Sequence, residues 1–256
     1  MKIKILGAHN IASRKTKMVS LLVDNTLALD ASAIIGSLSF RQQQRIKGFF
    51  LSHHHYDHVR DIPAVAMNAL LHGTNIDIYA PRTVYEVLST HLLNNILYPD
   101  FTGRPPGNPA ARFNIIEPGK TVTVAGYRIL PVPVKHSIPS VGYQVTAPDG
   151  RTMFYTGDTG PGLAEAWQEV SPHLLITELT APDGYEEFAL NSGHLTPSLL
   201  RLELEDFRKL KGYLPQVVLV HMNPLQEAEI AAEAAAVAAS LDCQIKLGRE
   251  GMVIEL

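Results

Sequence analysis

The 256-residue sequence holds one cysteine, Cys243, so it can form neither an internal disulfide nor a cysteine-rich metal site. It also lacks an excess of positive charge. Against 22 Lys and Arg stand 25 Asp and Glu, a formal net charge of −3. No overall positive field is available to recruit nucleic acid or an anionic membrane, which weighs against a protein that must hold a large RNA. The same balance says little about a small phosphate ester, because bound divalent ions reverse the local charge. No stretch reaches the roughly 18 apolar residues of a membrane span. Residues 1–7 alternate Lys with Ile and Leu and lack the unbroken apolar centre of a signal peptide. They read as a first strand and point to the cytoplasm. Linkers, composition shifts and short-period repeats are absent too, so one domain over 1–256 is expected. Charged residues at 18% and apolar residues at 46% are ordinary for a globular enzyme and exclude disorder.

Two patterns alternate along the chain. Short β-branched runs with turn punctuation read as strands, at 2–6, 19–23, 26–29, 48–51, 76–79, 121–124, 128–134, 142–146, 153–155, 174–177, 216–220, 244–247 and 252–254. Helical periodicity appears at 40–47, 61–71, 82–97, 163–170, 197–210 and 227–241. Thr196 followed by Pro197 is an N-cap with proline at the first helical position. Sheets covered by helices on their outer faces are the economical α/β reading. One Pro- and Gly-rich segment, 99–112, is long enough to be functional. With Tyr98, Phe101, Arg104 and Arg112 it could cover a site, but a solvent loop reads equally well.

Chemistry concentrates at Ser52-His53-His54-His55-Tyr56-Asp57-His58, directly after the apolar run 48–51 and just before a helix. A strand end there delivers imidazoles and a carboxylate into one turn, and these donors suit zinc and other borderline metals. His53, His55, Asp57 and His58 crowd too closely to complete one tetrahedron, so two metals sharing the turn is the better geometry. His54 fits no ligand position and reads as supporting or exposed. Three later residues also stand at strand ends: His136, Asp158 and His221. His9, His72, His91 and His173 lack such contexts and read as structural.

The H-x-H-x-D-H spacing of His53, His55, Asp57 and His58 resembles the metallo-β-lactamase superfamily. That resemblance implies a four-layer αββα sandwich with a dinuclear site at one sheet edge. It implies that His53, His55 and His136 hold one metal, that Asp57, His58 and His221 hold the other, and that Asp158 bridges both. Two divalent ions are expected, Zn²⁺ first, with Mn²⁺ or Fe²⁺ as alternatives. Homodimers are usual in the family it resembles.

The branch is read from Thr177-Glu178-Leu179-Thr180 and Ser192-Gly193-His194-Leu195-Thr196-Pro197. A carboxylate on an imidazole raises its pKa and fixes its orientation, as a general acid for a leaving alkoxide requires. The stretch resembles the ribonuclease Z and class II cyclic-nucleotide phosphodiesterase branch. Glu178, Thr180 and His194 match the ribonuclease Z pattern, but Thr177 replaces its first His. Val220-His221-Met222-Asn223-Pro224 is similar to the phosphodiesterase segment, with Asn223 in place of a Lys. Common ribonucleases Z carry a tRNA-gripping arm between the third ligand His and the bridging Asp. Only 21 residues separate His136 from Asp158 here, and they read as a plain hairpin. The expectation is therefore hydrolysis of a small phosphodiester, most simply a 3′,5′-cyclic nucleotide, by a metal-bridging hydroxide. Asp57, Glu178 and His194 are the candidate catalytic residues, with His194 as general acid. A tRNA 3′-processing endonuclease, another hydrolase of this fold and a non-catalytic metal-binding scaffold are the alternatives.

Overall fold

The computed structural model describes residues 1–256. The strands are β1 (Lys2–Gly7), β2 (Ser20–Val23), β3 (Leu27–Leu29), β4 (Gly48–Phe50), β5 (Ile76–Ala80) and β6 (Ala111–Ile115). They continue with β7 (Val122–Val124), β8 (Tyr127–Val134), β9 (Ser140–Thr146), β10 (Thr152–Tyr155), β11 (Leu174–Glu178), β12 (Gln216–Val220), β13 (Ile245–Leu247) and β14 (Val253–Glu255). The helices are α1 (Phe40–Gln43), α2 (Tyr56–Val59), α3 (Ile62–Leu71), α4 (Arg82–Val87), α5 (Ala164–Glu169), α6 (Glu186–Ser192), α7 (Pro197–Lys211) and α8 (Glu227–Leu241).

One sheet has the order β14-β1-β2-β3-β4-β5-β6, the other β13-β12-β11-β10-β9-β8-β7. Each is mixed. Strands joined without a helix, β1 to β3 and β7 to β10, pair antiparallel, and strands joined through helices, β3 to β6 and β10 to β13, pair parallel. Side chains alternate across each strand, and that period of two sorts the first sheet between two cores. Ile3, Ile5, Leu21, Val23, Leu27, Leu29 and Phe50 join the core shared with the second sheet. Leu6, Leu22, Ala28 and Phe49 join a second core with Ile62, Val65 and Ala66 of α3 and Val84 of α4. Beyond the second sheet, Trp167 of α5, Leu204 and Phe207 of α7 and Ile230 of α8 are buried in the larger core. Helix, sheet, sheet, helix is the four-layer αββα order expected.

Helix α7 starts where Thr196 Oγ1 accepts from Leu199 N–H with Pro197 in the first turn, and it stops at Gly212, whose φ of 78° suits glycine. No helix is long and apolar enough to cross a membrane. Several elements differ from the sequence reading. The helix expected at 40–47 ends at Gln43, because Lys47 N–H is drawn to Thr26 O as the chain enters β4. The one expected at 82–97 gives way to a wide π turn at Leu88–Leu92 and ends before Asn95, whose φ is 63°. Strand β6 and helix α6 were not expected at all.

Candidate metal centre and catalytic pair

Loops leaving β4, β8, β10, β11 and β12 converge at one edge of the two sheets, where side chains leave regular pairing and become free for chemistry. His53 and His55 follow β4, and Asp57 and His58 lie on the short helix α2. His136 follows β8, Asp158 follows β10 and His221 follows β12. Gly157 makes the approach feasible: its φ is 63°, and a Cβ there would stand 2.8 Å from Ser52 Cβ.

The structure brings together all seven residues singled out as ligands. One donor atom from each of His53, His55, His136 and Asp158 lies within 4.8 Å of the others, and the same holds for Asp57, His58, Asp158 and His221. Asp158 belongs to both groups. Its Oδ1 lies 3.2 Å from His58 Nε2, and its Oδ2 lies 3.4 Å from His221 Nε2 and 3.7 Å from His53 Nε2. Asp57 Oδ2 is 3.1 Å from His221 Nε2, and His55 presents Nδ1, 3.1 Å from His136 Nε2.

The outer nitrogens show why the inner ones point inward. His58 Nδ1 donates to Asp30 Oδ2 at 2.7 Å, and His53 Nδ1 to Ser52 Oγ at 2.9 Å. His136 Nδ1 donates to Gly193 O at 2.8 Å, and His221 Nδ1 to Thr180 Oγ1 at 2.8 Å. A histidine whose outer N–H is committed to an oxygen turns an unprotonated nitrogen to the other side, the usual arrangement behind a metal ligand. Asp30 gathers three of these supports: it also accepts from Ser52 N–H and Oγ–H and from the Tyr155 hydroxyl at 2.7 Å.

A divalent ion fits this donor set. His53 Nε2, His58 Nε2 and Asp158 Oδ1 are buried without a hydrogen-bond partner, an arrangement that costs free energy unless a cation satisfies it. Burial, reinforced by the His58 charge, pushes the His53 pKa well down, and burial also lowers those of His55 and His136. These imidazoles are therefore neutral and able to donate lone pairs. Burial raises the Asp57 pKa, but the His221 hydrogen bond and the His58 and His221 charges outweigh it and hold the group at about 2. Burial is likewise outweighed at His58, whose pKa Asp158 and Asp30 push well above its ordinary value. A metal arriving there displaces a proton.

Beside the cluster, Glu178 at the end of β11 and His194 after α6 form a pair, with His194 Nδ1 donating to Glu178 Oε1 at 2.8 Å. Glu178 is fully buried and also accepts from Thr159 N–H and from the Thr180 hydroxyl. Burial lowers the His194 pKa, but the Glu178 charge and hydrogen bond more than reverse this and raise it to about 9. His194 lines an open cleft of about 800 Å³ together with His55, Asp57, Asp158 and His221. Its Nε2 is thus the atom able to present a proton there. Thr180 links the pair to the ligand cluster, since its hydroxyl also accepts from His221.

Other expectations fare differently. His54 is half-buried and belongs to neither donor group. None of Tyr98, Phe101, Arg104 and Arg112 lines the cleft. Phe101 is buried in the outer core of the first sheet, and Arg112 makes a two-point ion pair with Asp77 on the neighbouring strand. Phe101 and Arg112 are thus committed elsewhere in the fold. His9 is structural, with Nδ1 2.7 Å from Glu250 Oε1 and Nε2 3.3 Å from Glu227 Oε2. The sequence reading missed Asp30, although an acidic residue ending the apolar run 26–29 is a signal of the same kind as His53 after 48–51.

The family model described as a beta-lactamase superfamily domain matches residues 26–237. A probable 3′,5′-cyclic-nucleotide phosphodiesterase of Yersinia pestis is 25% identical over 210 residues, 71% of this chain and 58% of the relative. A 3′,5′-cyclic-nucleotide phosphodiesterase of Aliivibrio fischeri is 26% identical over 189 residues, 66% of this chain and 56% of the relative. The chain thus matches less than two-thirds of the length of these curated relatives. Among solved structures, unliganded yeast PDE1 superposes with a TM-score of 0.85 at 17% identity, covering 100% of this chain and 99% of that one. The short form of human tRNase Z gives 0.69 at 19% identity, with coverage of 100% and 99%. At such identities these structures show the shared fold alone.

Proposed function

The chain belongs to the beta-lactamase superfamily domain family, and from that membership we propose that it is a metal-dependent hydrolase of a small phosphodiester, a 3′,5′-cyclic nucleotide. The observation that carries the reading is the Glu178–His194 pair beside the ligand cluster, 2.8 Å between Oε1 and Nδ1. Hydrolysis of a thioester has no need of an oriented acid, because the thiolate leaves unprotonated. A phosphodiester with an alkoxide leaving group does.

In this proposal His53, His55 and His136 hold one divalent ion, Asp57, His58 and His221 hold a second, and Asp158 is shared. Zinc suits this nitrogen-rich set first, and manganese or iron fit the same donors. Bound there, such ions supply charge neutralisation for the phosphate oxygens and a lowered pKa for the attacking water. Asp57, held ionised by its histidine neighbours, would accept a hydrogen bond from that water and orient it. Glu178 fixes the tautomer of His194, so that the transferable proton sits on Nε2, where the leaving sugar oxygen receives it. Such a positioned acid contributes on the order of 10²–10⁴ in rate.

A small diester is supported over tRNA by the tight turn of residues 147–151 between β9 and β10, which leaves no room for an arm. A cytoplasmic setting rests on the reading of residues 1–7 and a homodimer on the resemblance alone, and gel filtration with light scattering tests the second. The test of function is a purified, Zn²⁺- or Mn²⁺-loaded protein offered cyclic AMP, bis(4-nitrophenyl) phosphate and a precursor tRNA. The two small diesters should be hydrolysed and the tRNA left intact. Turnover of neither diester rejects the proposal.

A further inference from the structure

The cleft above the ligand cluster has walls of an unusual composition. Four large apolar side chains line it while staying exposed: Tyr185 at 51%, Phe188 at 56%, Ile11 at 47% and Leu225 at 88%. Its polar lining away from the histidines is neutral, made of amides such as Asn10, Asn223 and Gln226. No Lys or Arg lines it. The helix that bears Phe188 adds two exposed carboxylates, Glu186 and Glu187.

The aromatic wall is also held in place. At its start, Asp183 accepts from Ser198 N–H at 2.8 Å and Oγ–H at 2.6 Å, while Asp183 N–H donates to Glu233. At its end Gly193 adopts a φ of 75° and its carbonyl receives His136 Nδ1–H. A Cβ on Gly193 would stand 2.7 Å from Ser137 N, so the end of α6 is pressed against the loop that carries a ligand. A segment fixed at both ends that leaves a Tyr and a Phe half in water forgoes the burial those rings would gain in a core, about 1.5–3 kcal/mol for a Phe. Contiguous apolar surface beside polar chemistry marks a ligand wall.

Resting on the phosphodiesterase reading, we propose that Tyr185, Phe188 and Leu225 set the substrate class. They bind the flat, uncharged body of a phosphodiester that carries a single negative charge, stacking on a nucleobase or similar ring, while walls without cations disfavour polyanions. A strand of RNA or DNA or a polyphosphate has several phosphates outside the metal cluster and finds no basic partner for them here. A cyclic mononucleotide has one phosphate, all of it at the cluster.

The experiment compares two monoanionic esters with the same leaving group, thymidine 5′-(4-nitrophenyl phosphate) and methyl 4-nitrophenyl phosphate, on the Zn²⁺-loaded enzyme. The wild type should show a KM at least about tenfold lower for the nucleoside ester. Tyr185→Ala and Phe188→Ala should each raise that KM about 5- to 150-fold, the range expected for one lost stacking partner, with kcat within about threefold. Neither should change the KM of the methyl ester, and Phe188→Tyr should restore the nucleoside preference. Calorimetry with the phosphorothioate analogue of cyclic AMP, which needs no turnover, should show the same weakening. A pentathymidylate should inhibit no better than the analogue, and Leu225→Lys should strengthen its inhibition. Equal KM values for the two esters, unmoved by either alanine, would overturn the aromatic wall, as would tight pentathymidylate binding by the wild type. Failure of the wild type to turn over either ester would instead remove the phosphodiesterase reading on which the wall depends.

Discussion

Replacing Glu178 by Gln keeps the shape of a fully buried side chain and removes its charge. In the folded protein that charge is what lifts the His194 pKa to about 9 against burial, which acts to lower it. Without it the group falls to or below its ordinary 6.5, a change worth about 3 kcal/mol. At pH 8 the protonated fraction then drops from about nine-tenths to about three-hundredths, so the supply of acid alone falls roughly 30-fold. Cations held by His136 and His221 push both values down together, which widens the ratio at pH 8 and does not reverse it. Removal of the acid by His194→Ala should cost more, on the order of 10²–10⁴. The assay is kcat/KM of metal-loaded enzyme on cyclic AMP and on bis(4-nitrophenyl) phosphate between pH 6 and 9. Nitrophenolate leaves without a proton, so its loss should stay below about fivefold. The Glu178→Gln defect on cyclic AMP should shrink as pH falls and His194 regains its proton. Equal losses on the two esters, or a defect that ignores pH, would refute the general-acid role.

Three further outcomes follow from groups outside the cleft lining. Asp30→Ala strips His58, Ser52 and Tyr155 of a shared buried acceptor. It should cost about 3–5 kcal/mol in urea denaturation and weaken zinc about 10- to 100-fold in chelator competition. Glu203 accepts from Gly162 N–H, Leu163 N–H and Trp167 Nε1–H, so Glu203→Ala leaves three donors unpaired. A loss of about 2–4 kcal/mol by denaturant titration is expected, with metal affinity unchanged. Burial lowers the His9 pKa, but Glu250 and Glu227 outweigh it and raise the group above its ordinary 6.5, so its contribution is complete below that pH and is lost as pH rises through the folded value. Glu250 is depressed from 4.5 by His9 and the Lys17 N–H against the opposing effect of burial, so its contribution holds above 4.5 and is lost as pH falls through the lower folded value. The stability gap between wild type and His9→Phe should therefore be widest between about pH 4.5 and 6.5 and narrow by pH 9. A gap that grows above pH 8 would contradict this.

The parts legible in the sequence were those whose signals are local. His53, His55, Asp57 and His58 stand within one turn after an apolar run, and the strands announce themselves by alternation and turn residues. Asp30 was not legible because its role exists only when His58, 28 residues on, is folded against it. Thr180 was noticed for its place in a motif, but its link between Glu178 and His221 depends on β11 and β12 lying side by side. Helix α6 escaped because only Ala189 of it is buried, so no apolar stripe repeats along its two turns. Its position is set by Asp183 accepting from Ser198 of α7 and by Gly193 against the His136 loop, both tertiary contacts. Strand β6 lay hidden at the end of a Pro- and Gly-rich segment, and its pairing with β5 needs a partner some 35 residues away.

Anomalous diffraction at the zinc edge, on crystals of zinc-loaded protein, tests the two-metal centre most directly. Two peaks are predicted, one among His53, His55 and His136 and one among Asp57, His58 and His221, with the Asp158 carboxylate touching both. A single peak, or none inside this cluster, would contradict the dinuclear assignment.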